Sequence, residues 1–220
     1  MKKNASYTNE WPIIHKERCH ARAVRFTEEY AMIHLADGRV MGVPLNWFPP
    51  LHRATDNQRK NYIGYSSSVY WHDVDDGIDM TAMLTGMYIV PVYKREFRPQ
   101  PHVPRTCVYL DGGARRTSGG MEGVPFVHDT RNIPRALSFT DEHLIVDLAD
   151  GRILCLPWRF SLKLAQASDK QRQNYQRTGL ELRWEELGEG IDLIAMLTGF
   201  YDPEEPHPQN AVEPAETATT

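Results

Sequence analysis

The sequence contains little that would mark it as a secreted, membrane-spanning or metal-rich protein. Its three cysteines are an odd number at unrelated spacings, which predicts neither a disulfide framework nor a metal knuckle. No apolar run approaches the ~18 residues that a membrane-spanning helix needs. The first residues are charged but no apolar segment follows them, so we expect no signal peptide. These absences predict a cytoplasmic protein that makes no membrane contact.

The familiar catalytic motifs are missing as well. The sequence has no Gly-rich phosphate loop, no Gly-x-Ser-x-Gly turn and no His-Glu-x-x-His helix. The net charge of -4 does not favour general binding of polyanions by the whole molecule. We therefore expect no enzymatic activity, no cofactor and no metal site.

What the sequence does contain is an internal repeat. Residues 22–88 align without gaps with residues 135–201, and about 28 of the 67 positions are identical. Chance does not give such agreement, so the sequence predicts two tandem copies of one small domain. The longest identical runs are Leu-Ala-Asp-Gly-Arg, starting at Leu35 and Leu148, and Ala-Met-Leu-Thr-Gly, starting at Ala82 and Ala195.

The two copies leave three other segments. These are an N-terminal arm of residues 1–21, a basic linker rich in proline and glycine at 89–134, and an acidic tail at 202–220. The tail has almost no large apolar residue, so it buries too little surface to offset its ordering entropy, and we expect it to be disordered.

The first half of each copy carries the signals of antiparallel strands. Apolar side chains alternate with other residues over Tyr30–Leu35, which predicts a strand with one face in the core. Asp37-Gly38 then predicts a type I′ turn into the strand Val40–Val43. A further strand is predicted at Val24–Phe26.

Helical signals follow in the second half. Thr55 and Gln58 fit a capping box, which predicts a short helix over about residues 56–63. Val69–Trp71 predicts a fourth strand, and Asp79 is placed to cap a last helix that a glycine ends. The order ββ-β-α-β-α gives an α+β fold: one small antiparallel sheet with two short helices in each copy. Because about 67 residues is near the lower limit for an independent core, we expect the copies to pack together as a pseudo-dimer.

The order of these motifs resembles a known family. Asp-Gly-Arg, Gln-Arg-x-Asn-Tyr, a tryptophan, Gly-Ile-Asp and Leu-Thr-Gly recur in both copies. Together they resemble the domain-of-unknown-function family 2442 over about 134 of the 220 residues. The resemblance implies a small bacterial cytoplasmic protein, in some members one partner of a toxin–antitoxin-like pair, and it carries no catalytic residue to this sequence.

A polar helix face and a tryptophan recur in both copies and are the candidates for binding a partner protein. Arg59 and Asn61 either hydrogen-bond a neighbouring loop or face a partner, and Trp71 is either a core residue or an interface anchor. The candidate residues are Arg59, Asn61, Trp71, Arg172, Asn174 and Trp184.

Two constellations contain ligand-type side chains. Residues 72–79 hold four carboxylates and a histidine, which could bind a divalent cation, or could be solvated with one carboxylate capping a helix. His15, Cys19 and His20 have no visible fourth ligand for zinc. Cys155 lies in a predicted strand and the other copy has glycine there, so we expect a buried structural thiol.

The linker combines basic and aromatic residues between positions 92 and 116. Such a segment is either a solvated spacer or a region that grips phosphates and stacks bases. The nucleic-acid-binding candidates are Lys94, Arg95, Arg98, Arg115 and Arg116. The leading hypothesis is a non-enzymatic protein-interaction module that acts as an inhibitor, antitoxin-like factor or assembly subunit on a bacterial partner protein. The alternatives are a nucleic-acid-associated regulator that uses the linker and, third, a metal-dependent enzyme at 72–79.

Overall fold

A computed structural model of the chain describes residues 14–88, 107–109, 126–128 and 130–201. The first copy contains three long strands, two short helices, a small three-stranded sheet and a last helix. These elements are β1 (Ala21–Phe26), β2 (Tyr30–Leu35), β3 (Val40–Pro44), α1 (Pro49–Arg53), α2 (Asp56–Lys60), β4 (Ile63–Gly64), β5 (Ser68–Trp71), β6 (Asp76–Asp79) and α3 (Met80–Thr85).

The second copy repeats this order after a two-stranded ribbon formed by β7 (Cys107–Tyr109) and β8 (Phe126–His128). Its elements are β9 (Pro134–Phe139), β10 (His143–Leu148), β11 (Ile153–Pro157), α4 (Leu162–Gln166), α5 (Asp169–Gln173), β12 (Gln176–Thr178), β13 (Glu181–Trp184), β14 (Glu189–Asp192) and α6 (Leu193–Thr198).

The two copies share one central antiparallel sheet of six strands, in the order β1-β2-β3-β11-β10-β9. In the β3–β11 pairing Met41 lies opposite Leu154, which is its own equivalent in the second copy. A pseudo-two-fold axis therefore passes through this pair. The structure confirms the predicted α+β fold, the tandem duplication and the packing of the copies as a pseudo-dimer. One sheet per copy was predicted, whereas the strands of each copy are divided between the central sheet and a separate small sheet.

The hydrophobic core lies on one face of the central sheet. Ile33, Met41 and Val146 point into it and are fully buried, as are the two tryptophans of the small sheets. In each half the small sheet, β4-β5-β6 or β12-β13-β14, packs against this face with the short helices. The shared core explains why two copies succeed where about 67 residues alone are marginal.

The Asp-Gly hairpin is present, but the predicted type I′ turn is wrong. Gly38 has φ 84°, whereas Asp37 does not reach positive φ, and the loop therefore holds three residues rather than two. Gly38 N–H donates to Leu35 O at 3.0 Å, and Leu35 N–H donates to Arg39 O at 2.8 Å. The loop is a turn followed by a glycine in the left-handed conformation, which forms a β-bulge. This is the common three-residue loop of β-hairpins.

The helix predicted over 56–63 is shorter than expected. Its capping box is confirmed at Thr55 and Gln58, but α2 ends at Lys60 because the chain turns there into the edge strand β4. Helix α1 was not predicted: its first positions are prolines, which are accepted there because these positions need no N–H donor. Strand β6, which directly precedes the last helix α3, was also not predicted.

Arg39, the residue after the hairpin glycine, reaches from the first copy into the second. Its side chain is fully buried, and its Nε donates to Asp37 Oδ2 at 2.7 Å. The guanidinium also donates to the carbonyl of Met196, and to that of Leu197 at 3.4 Å, near the C-terminal end of α6. A cation at this end of a helix is favoured by the helix dipole as well as by the hydrogen bonds.

Arg152 makes the reciprocal contact from the second copy. It is also fully buried, donates from Nε to Asp150 Oδ2 at 2.7 Å and donates to the carbonyl of Met83 in α3 of the first copy. A further bond joins its Nη2 to Asn132 Oδ1 at 2.6 Å. Each copy therefore caps the last helix of the other, so the two halves are interlocked as well as joined through the sheet.

The internal symmetry extends N-terminal to the aligned segments. Arg18 donates to Gly199 O at 2.9 Å and to Tyr201 O at 2.6 Å. Arg131, at the same offset, donates to the two equivalent carbonyls of the first copy at 2.8 and 2.7 Å. Parts of the predicted arm and linker thus pack against the end of the opposite copy's last helix. Over the described ranges, no helix is long and apolar enough to cross a membrane.

Candidate protein-interaction site

The two recurring tryptophans lie in the core. Trp71 and Trp184 have no exposed surface, and their Nε1–H groups donate to Arg59 O at 2.8 Å and Arg172 O at 2.7 Å. Their indole rings are therefore unavailable to a partner while the protein is folded, and they anchor the short helices to the small sheets.

The recurring arginines hydrogen-bond a neighbouring helix end. Arg59 donates to the carbonyls of Leu51 and His52 at the end of α1, at 3.2 and 2.7 Å. Arg172 does the same at the end of α4, at 2.9 and 2.8 Å, and its guanidinium lies 4.6 Å from the ring centre of Trp158. From the sequence, these arginines either hydrogen-bond a neighbouring loop or face a partner protein. The contacts observed here are of the first kind.

The recurring asparagines are on the surface. Asn61 is exposed and donates from Nδ2 to Asp73 Oδ2 at 2.8 Å, which joins the end of α2 to the turn after β5. Asn174 is exposed at the equivalent place. Asn61 is therefore the partner-binding candidate of the first copy that a second protein can reach.

The carboxylates of residues 72–79 are not gathered into one site. Asp79 caps α3 by accepting from Ala82 N–H at 3.0 Å, and the other carboxylates accept from different neighbours. Among the residues that the structure describes, which include His15, Cys19 and His20, no group of three or more histidine, cysteine, aspartate or glutamate side chains could hold a metal ion. Cys155 is buried, and burial raises the pKa of its thiol to about 11.

Among the described side chains, Asp76 has a buried carboxylate oxygen that no hydrogen bond satisfies. Its Oδ2 is buried without a hydrogen-bond partner, and burial raises the pKa of the group above its ordinary value of 3.8. The equivalent Glu189 lies 3.8 Å from Lys163 Nζ, whereas the first copy has Pro50 in place of this lysine.

Replacing Asp76 with Asn is expected to stabilise the protein at neutral pH. A raised pKa means that the protonated acid supports the fold below pH 3.8 and that this support is lost as the pH rises through the folded-state pKa. Asp76→Asn keeps an uncharged group, so its advantage over wild type should grow from pH 3 to pH 7 in urea unfolding. Glu189→Gln is the matched control and should show no gain; an equal gain from both variants would contradict the explanation.

The exposed face of the first small sheet carries large apolar and aromatic side chains. Ile63 is 47% exposed and Tyr65 is 48% exposed. Ile63 lies opposite Tyr70 across the β4–β5 pairing, and Tyr70 lies opposite Gly77 across β5–β6. A Cβ at Gly77 would lie 2.8 Å from the Tyr70 ring, so the absence of a side chain at Gly77 leaves room for the ring. We call this face the tyrosine surface, formed by Ile63, Tyr65, Tyr70 and His72.

Tyr70 is held in position from two sides. Its ring contacts that of His72 edge to face, with 4.8 Å between the ring centres. Its hydroxyl donates to the carboxylate of Asp75, which raises the pKa of Tyr70. Within the described ranges, Asp75 is the one non-glycine residue with positive φ, at 50°, and the second copy has Gly188 there. The left-handed backbone conformation disfavours a side chain, yet Asp75 adopts it at the position where its carboxylate accepts the hydrogen bond from Tyr70.

A family model described as a protein of unknown function, DUF2442, matches residues 21–87 and 134–202. The matched segments coincide with the two structural copies and cover more than half of the chain. The chain belongs to the DUF2442 family. Comparison with curated proteins and with solved structures gave no match.

The second DUF2442 copy lacks the tyrosine surface although its backbone elements are the same. The residues at the equivalent positions are Gln176, Thr178, Arg183 and Glu185. Arg183 is exposed and pairs with Glu181 at 2.8 Å, as expected of a solvated face. Sequence reasoning missed the tyrosine surface, but a position-by-position comparison of the two DUF2442 copies would have shown it.

The basic-linker candidates are not among the residues described. Lys94, Arg95, Arg98, Arg115 and Arg116 all lie between the first DUF2442 copy and β8, outside the described ranges. The N-terminal residues 1–13 and the whole predicted tail, 202–220, lie outside them as well.

Proposed function

We propose that the protein is a non-enzymatic protein-interaction module and that the tyrosine surface of its first copy contacts a partner protein. The observation that carries this proposal is the difference between two copies of one fold in one chain. At the same positions the second copy presents polar and charged side chains and the first presents Ile63, Tyr65 and Tyr70. The scaffold therefore does not require these side chains.

The chemistry of the surface suits a protein partner. Tyrosine supplies a large rigid contact area with few rotatable bonds, and its hydroxyl keeps the free surface compatible with water. The strand turn beside it reads Tyr-Ser-Ser-Ser, with Ser66 and Ser67 exposed. Tyrosine and serine together are typical of binding loops, where serine adds adaptable hydrogen bonds. Asn61 and Asp73 at the border add polar groups to the rim.

The second copy contributes by completing the fold. It supplies β11, which covers the β3 edge, and Arg152, which caps α3 of the first copy. We infer that the partner binds one copy and that the other acts as its internal support. Inhibitor, antitoxin-like factor and assembly subunit are the roles such a module fills, and the identity of the partner distinguishes them.

A photoreactive phenylalanine derivative tests this assignment in the source organism. Placed at Tyr65 of the full chain, it should give one discrete protein adduct on irradiation, identified by mass spectrometry. Placed at the equivalent Thr178, it should give none. Adding Ile63→Gln and Tyr70→Arg, the residues of the second copy, should reduce the adduct by at least about tenfold.

Three outcomes would refute the proposal. One is the same set of adducts at both positions, one is an adduct that survives the double substitution, and one is an adduct that nuclease removes. Because the introduced residues already stand on the same scaffold in the second copy, we expect the circular dichroism spectrum to be unchanged, and this measurement accompanies each variant.

A further inference from the structure

The central sheet has a second apolar cluster on the face opposite the core, which we call the outer face. An antiparallel sheet with one buried face normally presents polar residues on the other. Here Met32, Val40, Ile145, Ile153 and Cys155 alternate with the core residues along the four central strands. None of the five belongs to the core cluster, so they form a separate patch about the pseudo-two-fold axis.

The patch is closely packed at its centre. A Cβ at Gly42 would overlap the side chain of Ile153 and come 3.0 Å from Met32 Sδ, so the absence of a side chain lets Ile153 lie across the sheet. Val40 and Cys155, which are paired across the β3–β11 junction, are 5% and 6% exposed. The thiol of Cys155 is buried on this face, and burial is the main cause of its raised pKa.

Charge is distributed unequally across the outer face. One row of paired residues runs from Arg25 on β1 through Met32, Gly42 and Ile153 to Asp147 on β10. The position equivalent to Asp147 in the first copy is His34, whose pKa is lowered by burial and then by the charge of Arg25. In this row the first-copy half therefore carries the cation Arg25, the second-copy half carries the anion Asp147, and the middle is apolar.

We propose that the outer face binds a second copy of this chain, giving a two-fold dimer with the central sheets face to face. The charges select the orientation. A two-fold axis parallel to the strands places the first-copy half of one sheet over the second-copy half of the other, so Arg25 faces Asp147 of its mate twice. An axis across the strands would instead place Arg25 over Arg25. The selected orientation aligns the two sheets as in ordinary sheet-on-sheet packing and covers the apolar patch.

This dimer leaves the tyrosine surface free. The small sheets pack on the core face of the central sheet, and the two surfaces share no residue. Each dimer would therefore present two tyrosine surfaces, and binding of a partner can be lost without loss of the dimer.

Sedimentation of the full chain over a range of concentrations tests the dimer. Wild type should sediment with twice the mass of the chain. Arg25→Asp and Asp147→Arg should each raise the dissociation constant by about tenfold or more, and the double variant should restore dimerisation. Ile153→Lys places a charge in the apolar centre and should give monomers. Lys170→Asp is the control, because it changes the charge by as much as Arg25→Asp but lies on exposed α5, and it should leave the dimer unchanged.

Several results would overturn the proposal. A chain that remains monomeric up to its solubility limit would show that the outer face does not bind a second copy. A dimer that survives both Arg25→Asp and Ile153→Lys would place the contact elsewhere. Failure of the charge exchange to restore dimers would refute the orientation. Arg25 is exposed on an edge strand, so its variants keep the test valid if Ile153→Lys fails to fold.

Discussion

Replacing Arg152 with Met should lower the free energy of unfolding by about 3–5 kcal/mol, the usual cost of removing one member of a buried ion pair. The methionine fills part of the space of the arginine stem. It leaves the Asp150 carboxylate, whose side chain is 8% exposed, without its cationic partner and with the Tyr88 hydroxyl as its remaining side-chain donor. It also removes a donor from the end of α3. The equivalent Arg39→Met should cost a similar amount, since the pseudo-two-fold axis relates its contacts to those of Arg152, with Cys19 in place of Asn132.

Urea unfolding of the full chain measures this loss. Arg183→Met is the control, because Arg183 pairs with Glu181 on the surface and its removal should not change stability measurably. The variant that combines Arg152→Met with Asp150→Asn should recover part of the loss, because it removes the uncompensated buried charge. A loss no larger than the control would refute a stabilising role for the interlocked arginines.

Replacing Trp71 with Ala should also cost about 3–5 kcal/mol, as large core truncations of aromatic residues do. The change leaves a cavity beneath the tyrosine surface and leaves the Arg59 carbonyl without the indole donor at 2.8 Å. Trp184→Ala should cost about the same, because its burial and hydrogen bond are equivalent. Trp71→Phe keeps most of the apolar contact and should cost less.

Comparison with Tyr65→Thr separates a core role from an interface role. Tyr65→Thr should leave the unfolding midpoint unchanged and reduce crosslinking of the partner from a probe at Ile63. Trp71→Ala should shift the midpoint strongly. If Trp71→Ala proved neutral in stability yet abolished the adduct, the tryptophan would act at the interface after all.

Most local signals were read correctly from the sequence because they depend on near neighbours; the exceptions are the turn type at Asp37-Gly38 and the end of α2. The capping box at Thr55 and Gln58 forms as expected, Asp79 caps the last helix, and Gly86 adopts a left-handed φ of 74°. The repeat itself needs only self-comparison. These features suffice for the fold class and for the expectation that the copies pack together.

The features that were missed depend on contacts between distant residues. The sequence predicts only that Arg39 follows a hairpin turn. No local pattern indicates that its side chain donates to the carbonyl of Met196, 157 residues away. The hairpin loop is the exception, because its Asp37–Arg39 contact spans only two residues. Asp-Gly is compatible with the two-residue type I′ turn and with the three-residue loop that forms here. Trp71 and Tyr65 look alike as aromatic residues near strands, and only the tertiary packing buries one and exposes the other.

The shared sheet also sets the order of events during synthesis. Strand β3 is complete early, but its pairing strand β11 begins only at residue 153. At ~5–20 residues per second, the first copy waits on the order of 10 s with an unpaired strand edge, and with α3 lacking its arginine cap. Open edges of this kind recruit strands from other chains. Because β11 follows on the same chain, its effective concentration exceeds that of strands from other nascent chains, so the duplication makes closure of the sheet an intramolecular step timed by translation.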